Sequence, residues 1–155
     1  MRQRSGYELP LLLLGAFRSI VDELHTELAR RGHDQARPLH GFALQAIGSE
    51  GVTIGDLGRR LGVSKQAAAK TARSLEEAGY VARAPHPRDG RAWVLTRTRR
   101  GVEMLELSAE IFERLRRRRA QQLGDERLRD LEDDLAVLAA PSLDASLMDL
   151  PGWLQ

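Results

Sequence analysis

The 155-residue chain contains no cysteine. That absence excludes a disulfide scaffold, a cysteine-based zinc site and a thiol redox switch. Asparagine is also missing, so there is no N-glycosylation acceptor. Aromatic residues make up only 5% of the chain. Long hydrophobic runs are missing too: the longest, over 9–17, falls well short of the roughly 20 apolar residues that a membrane span requires. It follows Arg2 and Arg4 in the manner of a secretory leader, but Glu8 and Pro10 interrupt the pattern and no small-residue cleavage site follows. A cytoplasmic protein with no membrane partner is expected. The four histidines, His25, His33, His40 and His86, lack metal-ligand spacing, so neither metal nor cofactor is expected. No nucleophile elbow, phosphate-binding loop or dinucleotide fingerprint is present, so no enzyme activity is expected.

What is present is one domain's length of helix-leaning sequence, 42% hydrophobic and 30% charged. The formal net charge of +2 conceals a strong asymmetry. Residues 1–52 carry 6 basic and 6 acidic side chains, residues 53–101 carry 11 and 4, and residues 102–155 carry 7 and 12. A basic middle segment between neutral and acidic flanks is the footprint of a polyanion partner, although charge alone is equally compatible with a solvated surface.

Apolar periodicity and capping residues set out the elements. Phe17, Ile20, Val21, Leu24 and Leu28 recur at helical spacing and predict a helix over 8–31, stopped by Gly32. Its stretch 9–14 is apolar all round, more than a surface helix of a monomer needs. A second helix is predicted over 38–47. Thr53 with Asp56 resembles a capping box opening a third helix, which Gly62 stops. Ser64 caps a fourth helix to about residue 78, closed by Gly79. Short strands are expected over 80–84 and 92–97, joined by a turn rich in proline and glycine. Thr98 then caps a long helix carrying Val102, Leu105, Ala109, Phe112 and Leu115. A last helix over 126–139 places Leu128, Leu131, Leu135 and Leu138 on one stripe. In the tail, 141–155, Leu147, Leu150, Trp153 and Leu154 suggest docking.

Helix, tight turn, helix, strand, basic turn, strand is the order of a winged helix-turn-helix. In such a motif the second helix enters the DNA major groove. Wheel geometry turns Ala68, Ala72, Leu75 and Ala78 inward, with Thr71 at the edge of that face. Ser64, Lys65, Gln66, Ala69, Lys70 and Arg73 face outward as candidate DNA-binding residues. Gln66 suits a bidentate bond to adenine, and Lys65 or Lys70 can reach guanine edges or phosphates. At the hairpin tip, Arg88 is a candidate for the narrow minor groove, with Asp89 and Arg91 shaping the wing and Asp89 expected to orient one guanidinium. The plainer reading of these features is an amphipathic helix with solvated lysines and a self-satisfied turn. The helix, the turn and the basic hairpin together favour DNA.

The stretch TIGDLGRRLGVSKQAAAKTARSLEEAGYVARAPHPRDGRAWVLTRTRRG closely resembles the MarR family, the multiple antibiotic resistance regulators. HPRDGRA, the following strand and TRRG carry most of that likeness, which covers about a third of the chain. The resemblance implies a mainly α fold with a small β-hairpin wing, in one domain over 1–155. Helices at 8–31 and 98–140 would serve dimerisation, and 38–97 would form the winged lobe. It implies a homodimer gripping a pseudo-palindromic double-stranded DNA, most often a repressor that lets go when a small anionic or phenolic effector binds between the dimer helices and the DNA lobes. Phe17, His40 and Phe42 are candidates to line that pocket, His40 and Phe42 being equally compatible with a core role. A winged-helix interaction module without specific DNA contact is the alternative.

The sequence departs from the family pattern in three ways. His86 stands where Asp is usual, which removes an orienting carboxylate and offers a group able to gain charge in acid. Arg97 replaces the usual Leu before Thr98, so the second strand is expected to end early or Arg97 to face solvent. The missing cysteine excludes the peroxide-sensing mechanism of some members. The run Arg114 to Arg119 reads as a solvated face, with local pairs from Glu110 to Arg114 and from Glu113 to Arg117.

Overall fold

The computed structural model describes residues 5–143. Six helices and one hairpin follow in the order α1 (Glu8–Arg30), α2 (Pro38–Ile47), α3 (Ile54–Leu61), α4 (Lys65–Glu77), β1 (Val81–Pro85), β2 (Trp93–Arg97), α5 (Arg99–Leu123) and α6 (Asp125–Leu143). The fold is mainly α with a small antiparallel wing, as the patterning implies.

Local chemistry explains most boundaries. Thr53 Oγ1 accepts the Asp56 N–H at 3.2 Å and opens α3, Ser64 Oγ accepts the Ala67 N–H at 3.1 Å and opens α4, and Thr98 Oγ1 accepts the Gly101 N–H at 3.1 Å and opens α5. The reciprocal half of a capping box is replaced at α3, where Thr53 Oγ1 instead donates to Asp56 Oδ2 at 2.8 Å. The tight turn between α3 and α4 depends on two glycines. Gly62 takes φ +65°, and a Cβ on Gly58 would lie 3.1 Å from the Val63 carbonyl oxygen and 3.4 Å from Ala68 Cβ.

Several expected bounds shift, each for a physical reason. Tyr80 belongs to the closing turn of α4, its N–H bonded to Leu75 O, so β1 begins one residue late. Ala92 donates to Asp89 O and its carbonyl accepts from His86, so it belongs to the wing turn rather than to β2. The last helix begins at Asp125 and continues past Pro141 to Leu143, because Pro removes only one hydrogen bond so near a helix end. The boundary drawn between 140 and 141 therefore falls inside a helix, and the docking expected of Leu147, Leu150, Trp153 and Leu154 lies outside the described residues.

One core sits inside the lobe. Leu44, Ile47, Leu57, Leu61, Leu75, Tyr80 and Leu95 are all but fully buried there, and Met104 and Ile111 of α5 join them. Val52 bridges Leu95 through two backbone hydrogen bonds of 2.8 and 3.0 Å and extends the hairpin by one short partner. The basic run of α5 is not merely solvated. Arg114 reaches Glu27 at 3.0 Å, Arg118 and Arg119 both bond Glu23, and Arg116 takes a two-pronged grip on Glu132 at 2.7 Å. These arginines tie α5 to α1 and α6. Of the local pairs expected, Arg117 to Glu113 forms at 4.0 Å, while Glu110 faces Arg31.

Candidate nucleic-acid interface

The outward face of α4 starts at a helix N-terminus, where unpaired N–H groups and the helix dipole favour an anion. Ser64, Lys65, Gln66, Lys70 and Arg73 are exposed there, and Ala69 is half-buried between them. The opposite face, Ala68, Ala72, Leu75 and Ala78, is buried, and Thr71 is intermediate. Small residues at Ala67 and Ala69 let the helix axis lie close to whatever meets this face.

Side chains brace the wing tip by capping backbone. His86 Nδ1 accepts the N–H groups of Arg88 at 3.1 Å and of Asp89 at 3.2 Å. The imidazole thus does the work expected of the usual carboxylate, and its ring proton sits on Nε2. Asp89 Oδ1 accepts the Arg91 N–H at 3.1 Å, so it shapes the turn rather than orienting a guanidinium. Arg88 and Arg91 are left exposed at a turn whose backbone is already fixed.

Two contacts invisible to sequence reasoning hold these elements in register. Arg83 of β1 grips Glu76 of α4 through Nε and Nη2 at 2.8 and 3.2 Å, which joins the wing to the outward-facing helix. Arg97 remains within β2, half-buried rather than solvent-facing. Its Nε donates to Leu44 O at 2.7 Å and its Nη2 to Gln45 O at 3.3 Å. A guanidinium thus adds donors to two carbonyls at the C-terminus of α2 that otherwise share the single Gly48 N–H, at a helix end where a cation is favoured.

A cavity of about 260 Å³ opens between α1, α2 and α5. Phe17 and Phe42 line it, with Leu24, Phe112, Arg37 and His25. His25 Nδ1 donates to Val21 O at 2.7 Å, which leaves Nε2 as an acceptor. Arg37 and His25 were missed as pocket residues because only the folded α1–α2 corner brings them together. His40 is not among the lining residues. It is buried on the other side of α2, where Nδ1 accepts the Arg37 N–H at 3.3 Å and Nε2 donates to Ser74 Oγ at 2.9 Å. Burial, with Arg37 and then His25 nearby, lowers its pKa to about 4. His33 is equally buried, 3.2 Å from the Tyr80 hydroxyl, and its pKa is lowered first by burial and then by Arg100. Among the described residues no cluster of histidine and carboxylate side chains is suited to a metal ion.

The MarR family's sequence profile matches residues 37–92, from the start of α2 into the wing turn. The whole fold has relatives as well. A MarR family protein from Bacillus stearothermophilus superposes with a TM-score of 0.69 at 22% identity, covering 92% of this chain and 99% of its own. The crystal structure of MarR gives 0.64 at 25% identity, covering 85% and 98%. Residues 37–92 thus match the MarR family, and the whole fold is the one these structures share. A MepR–DNA complex from S. aureus gives 0.64 at 17% identity, covering 87% and 98%. A search of curated proteins finds no match. No helix among the described residues is long and apolar enough to cross a membrane.

Proposed function

We propose that this chain is a DNA-binding transcription regulator of the MarR type, which acts in the cytoplasm as a homodimeric repressor on a pseudo-palindromic operator and releases it on binding a small anionic or phenolic effector. The observation that carries the DNA-reading part is the pairing of two exposed basic surfaces, each pre-shaped from behind. Lys65, Gln66, Ala69, Lys70 and Arg73, after the Ser64 cap, are assigned to the major groove. Arg88 is assigned to the minor groove, on a wing built by Asp89 and Arg91. That the structural neighbour MepR is solved as a DNA complex supports DNA as the partner.

The dimer rests on apolar surface that a lone chain leaves in water. Leu9, Leu11 and Leu12 of α1 are about half exposed, and so are Leu131 and Leu138 of α6. An open cleft of about 830 Å³ between α1, α5 and α6, lined by Ile20, Phe112, Leu115, Leu123 and Leu128, offers a seat for a partner's helices. The effector reading rests on the 260 Å³ cavity, whose aromatic walls and Arg37 guanidinium suit a ring bearing one anionic or hydroxyl group.

Selection of binding sites from a random duplex pool, followed by anisotropy titration of the enriched site, tests the reading. A pseudo-palindrome is expected, bound by two chains, with affinity falling steeply as salt rises. Arg88→Ala is expected to weaken binding at least about thirtyfold without lowering the melting temperature, as loss of a contact worth some 1–3 kcal/mol from each chain of the dimer would. No enrichment, with salt-insensitive capture of another protein, would instead establish an interaction module. Full affinity in Arg88→Ala would remove the wing assignment alone.

A further inference from the structure

Helix α2 has two functional faces. One, with Pro38, Gly41, Phe42 and Gln45, lines the cavity. The other is tied to every DNA-facing part of the lobe. His40 Nε2 donates to Ser74 Oγ of α4, the residue next to Arg73. Arg97 of β2 donates to the carbonyls of Leu44 and Gln45. Arg60 of α3 donates to the carbonyl of Ala46 at 2.7 Å. Three successive carbonyls at the end of α2 are thus held by guanidiniums from two other elements, and its first turn is held to α4. Of the remaining cavity walls, neither α1 nor α5 makes a side-chain hydrogen bond to α2 among the described residues; α5 joins the lobe at its first turn, where Arg100 Nε donates to the Ala78 carbonyl at 3.2 Å.

We propose that α2 is the link through which filling the cavity moves the reading helix and the wing together, and that His40 and Arg97 are the positioning residues that make the link. The proposal rests on the effector reading above and adds its route. With hydrogen bonds on its far side and a packed core around it, α2 cannot shift alone. A displacement away from the cavity carries α4 and the wing with it as one body, pivoting on the corner where the first turn of α5 meets the end of α4, and re-aims both DNA contacts. Leu at position 97, the residue usual in the family, would lack the donors that connect the wing to α2.

The cavity can be filled without knowing the effector. Gly41 lies on the cavity wall, and a Cβ built there meets no atom within 4 Å. Gly41→Phe and Gly41→Met therefore act as covalent occupants, with Gly41→Ala as the control. Operator affinity of the filled variants is expected to fall about tenfold, within the usual range of allosteric coupling, and that of Gly41→Ala to stay within about twofold of wild type. In Arg97→Leu and His40→Gln backgrounds the same fillings are expected to cost less than about threefold. A purely stabilising role for Arg97 or His40 would lower melting temperatures yet leave the filled-to-empty affinity ratio unchanged. Folded, filled variants that bind operator like wild type would overturn the effector reading and this proposal with it. Filled variants that lose operator equally in all three backgrounds would uphold the effector reading and overturn the route through α2.

Discussion

Replacing Gly101 by alanine should destabilise the protein, although Gly-to-Ala within a helix ordinarily stabilises. The residue sits in the first turn of α5, with its N–H capped by Thr98 Oγ1. A Cβ built there overlaps the Tyr80 carbonyl oxygen and lies 3.1 Å from the Tyr80 carbonyl carbon and 3.3 Å from its Cα. These are backbone atoms and cannot rotate away. They are also anchored, since Tyr80 is fully buried and its carbonyl accepts the Thr98 N–H at 3.0 Å while Thr98 Oγ1 donates to Gly79 O at 2.6 Å. Relieving the overlap means pulling α5 off the α4–β1 corner. That costs the Thr98 cap, worth about 1 kcal/mol, and the Thr98–Tyr80 hydrogen bond, about 1 kcal/mol. It adds overpacking strain of about 1–3 kcal/mol. Helix propensity returns at most about 1 kcal/mol. A net loss of about 3 kcal/mol follows, or a melting temperature lowered by some 6–12 °C for a chain of this size. Urea unfolding and differential scanning calorimetry at one fixed protein concentration read it, since association shifts the midpoint. An unchanged or raised melting temperature would refute the reasoning.

Two further outcomes follow from the same geometry. His40 is neutral in the fold, with a pKa of about 4 against 6.5 when free, so the unfolded chain binds the extra proton and stability is lost as pH falls from 6.5 towards 4. The loss approaches about 3 kcal/mol at the bottom of that window. Between pH 7 and 5, urea midpoints of wild type should fall more than those of His40→Gln, the remaining slope including His33; parallel slopes would show that His40 does not carry the effect. Lys70→Ala should weaken binding to operator and scrambled duplex alike and reduce the slope of log affinity against log salt by about two, one phosphate contact from each chain of the dimer; an unchanged slope would remove Lys70 from the phosphate contacts.

The legible parts of this chain were those governed by neighbours in sequence. Thr53, Ser64 and Thr98 announce their helices because a cap acts over three residues, and the two faces of α4 follow from its period. Gly101, read first as part of the TRRG motif, is explained by the Tyr80 carbonyl against which it packs. The rest required the fold. Arg97 meets α2 across more than fifty residues, Arg118 and Arg119 meet Glu23 across more than ninety, and no local pattern encodes such a meeting. His40 showed the limit of reading a face from a short helix. Both sides of α2 are apolar, so periodicity could not tell the cavity wall from the core. His86 illustrates substitution of function without likeness of charge, since an imidazole nitrogen accepts the N–H groups that a carboxylate would have taken.

The short bridge between Val52 and Leu95 bears on how the protein keeps its own copies apart. A free strand edge is a template on which another chain can add. Here the inner edge of β2 is occupied by Val52, which leaves β1 as the outer strand. That strand is only five residues long, carries the charged Arg83 at its centre and ends in Pro85, which has no N–H to offer. A hairpin projecting into solvent to meet a duplex must stay exposed, and this one does so with little capacity to nucleate β-sheet aggregation. Replacement of Arg83 and Pro85 by β-branched residues would give the wing a sticky border and at the same time release its tie to Glu76 of α4.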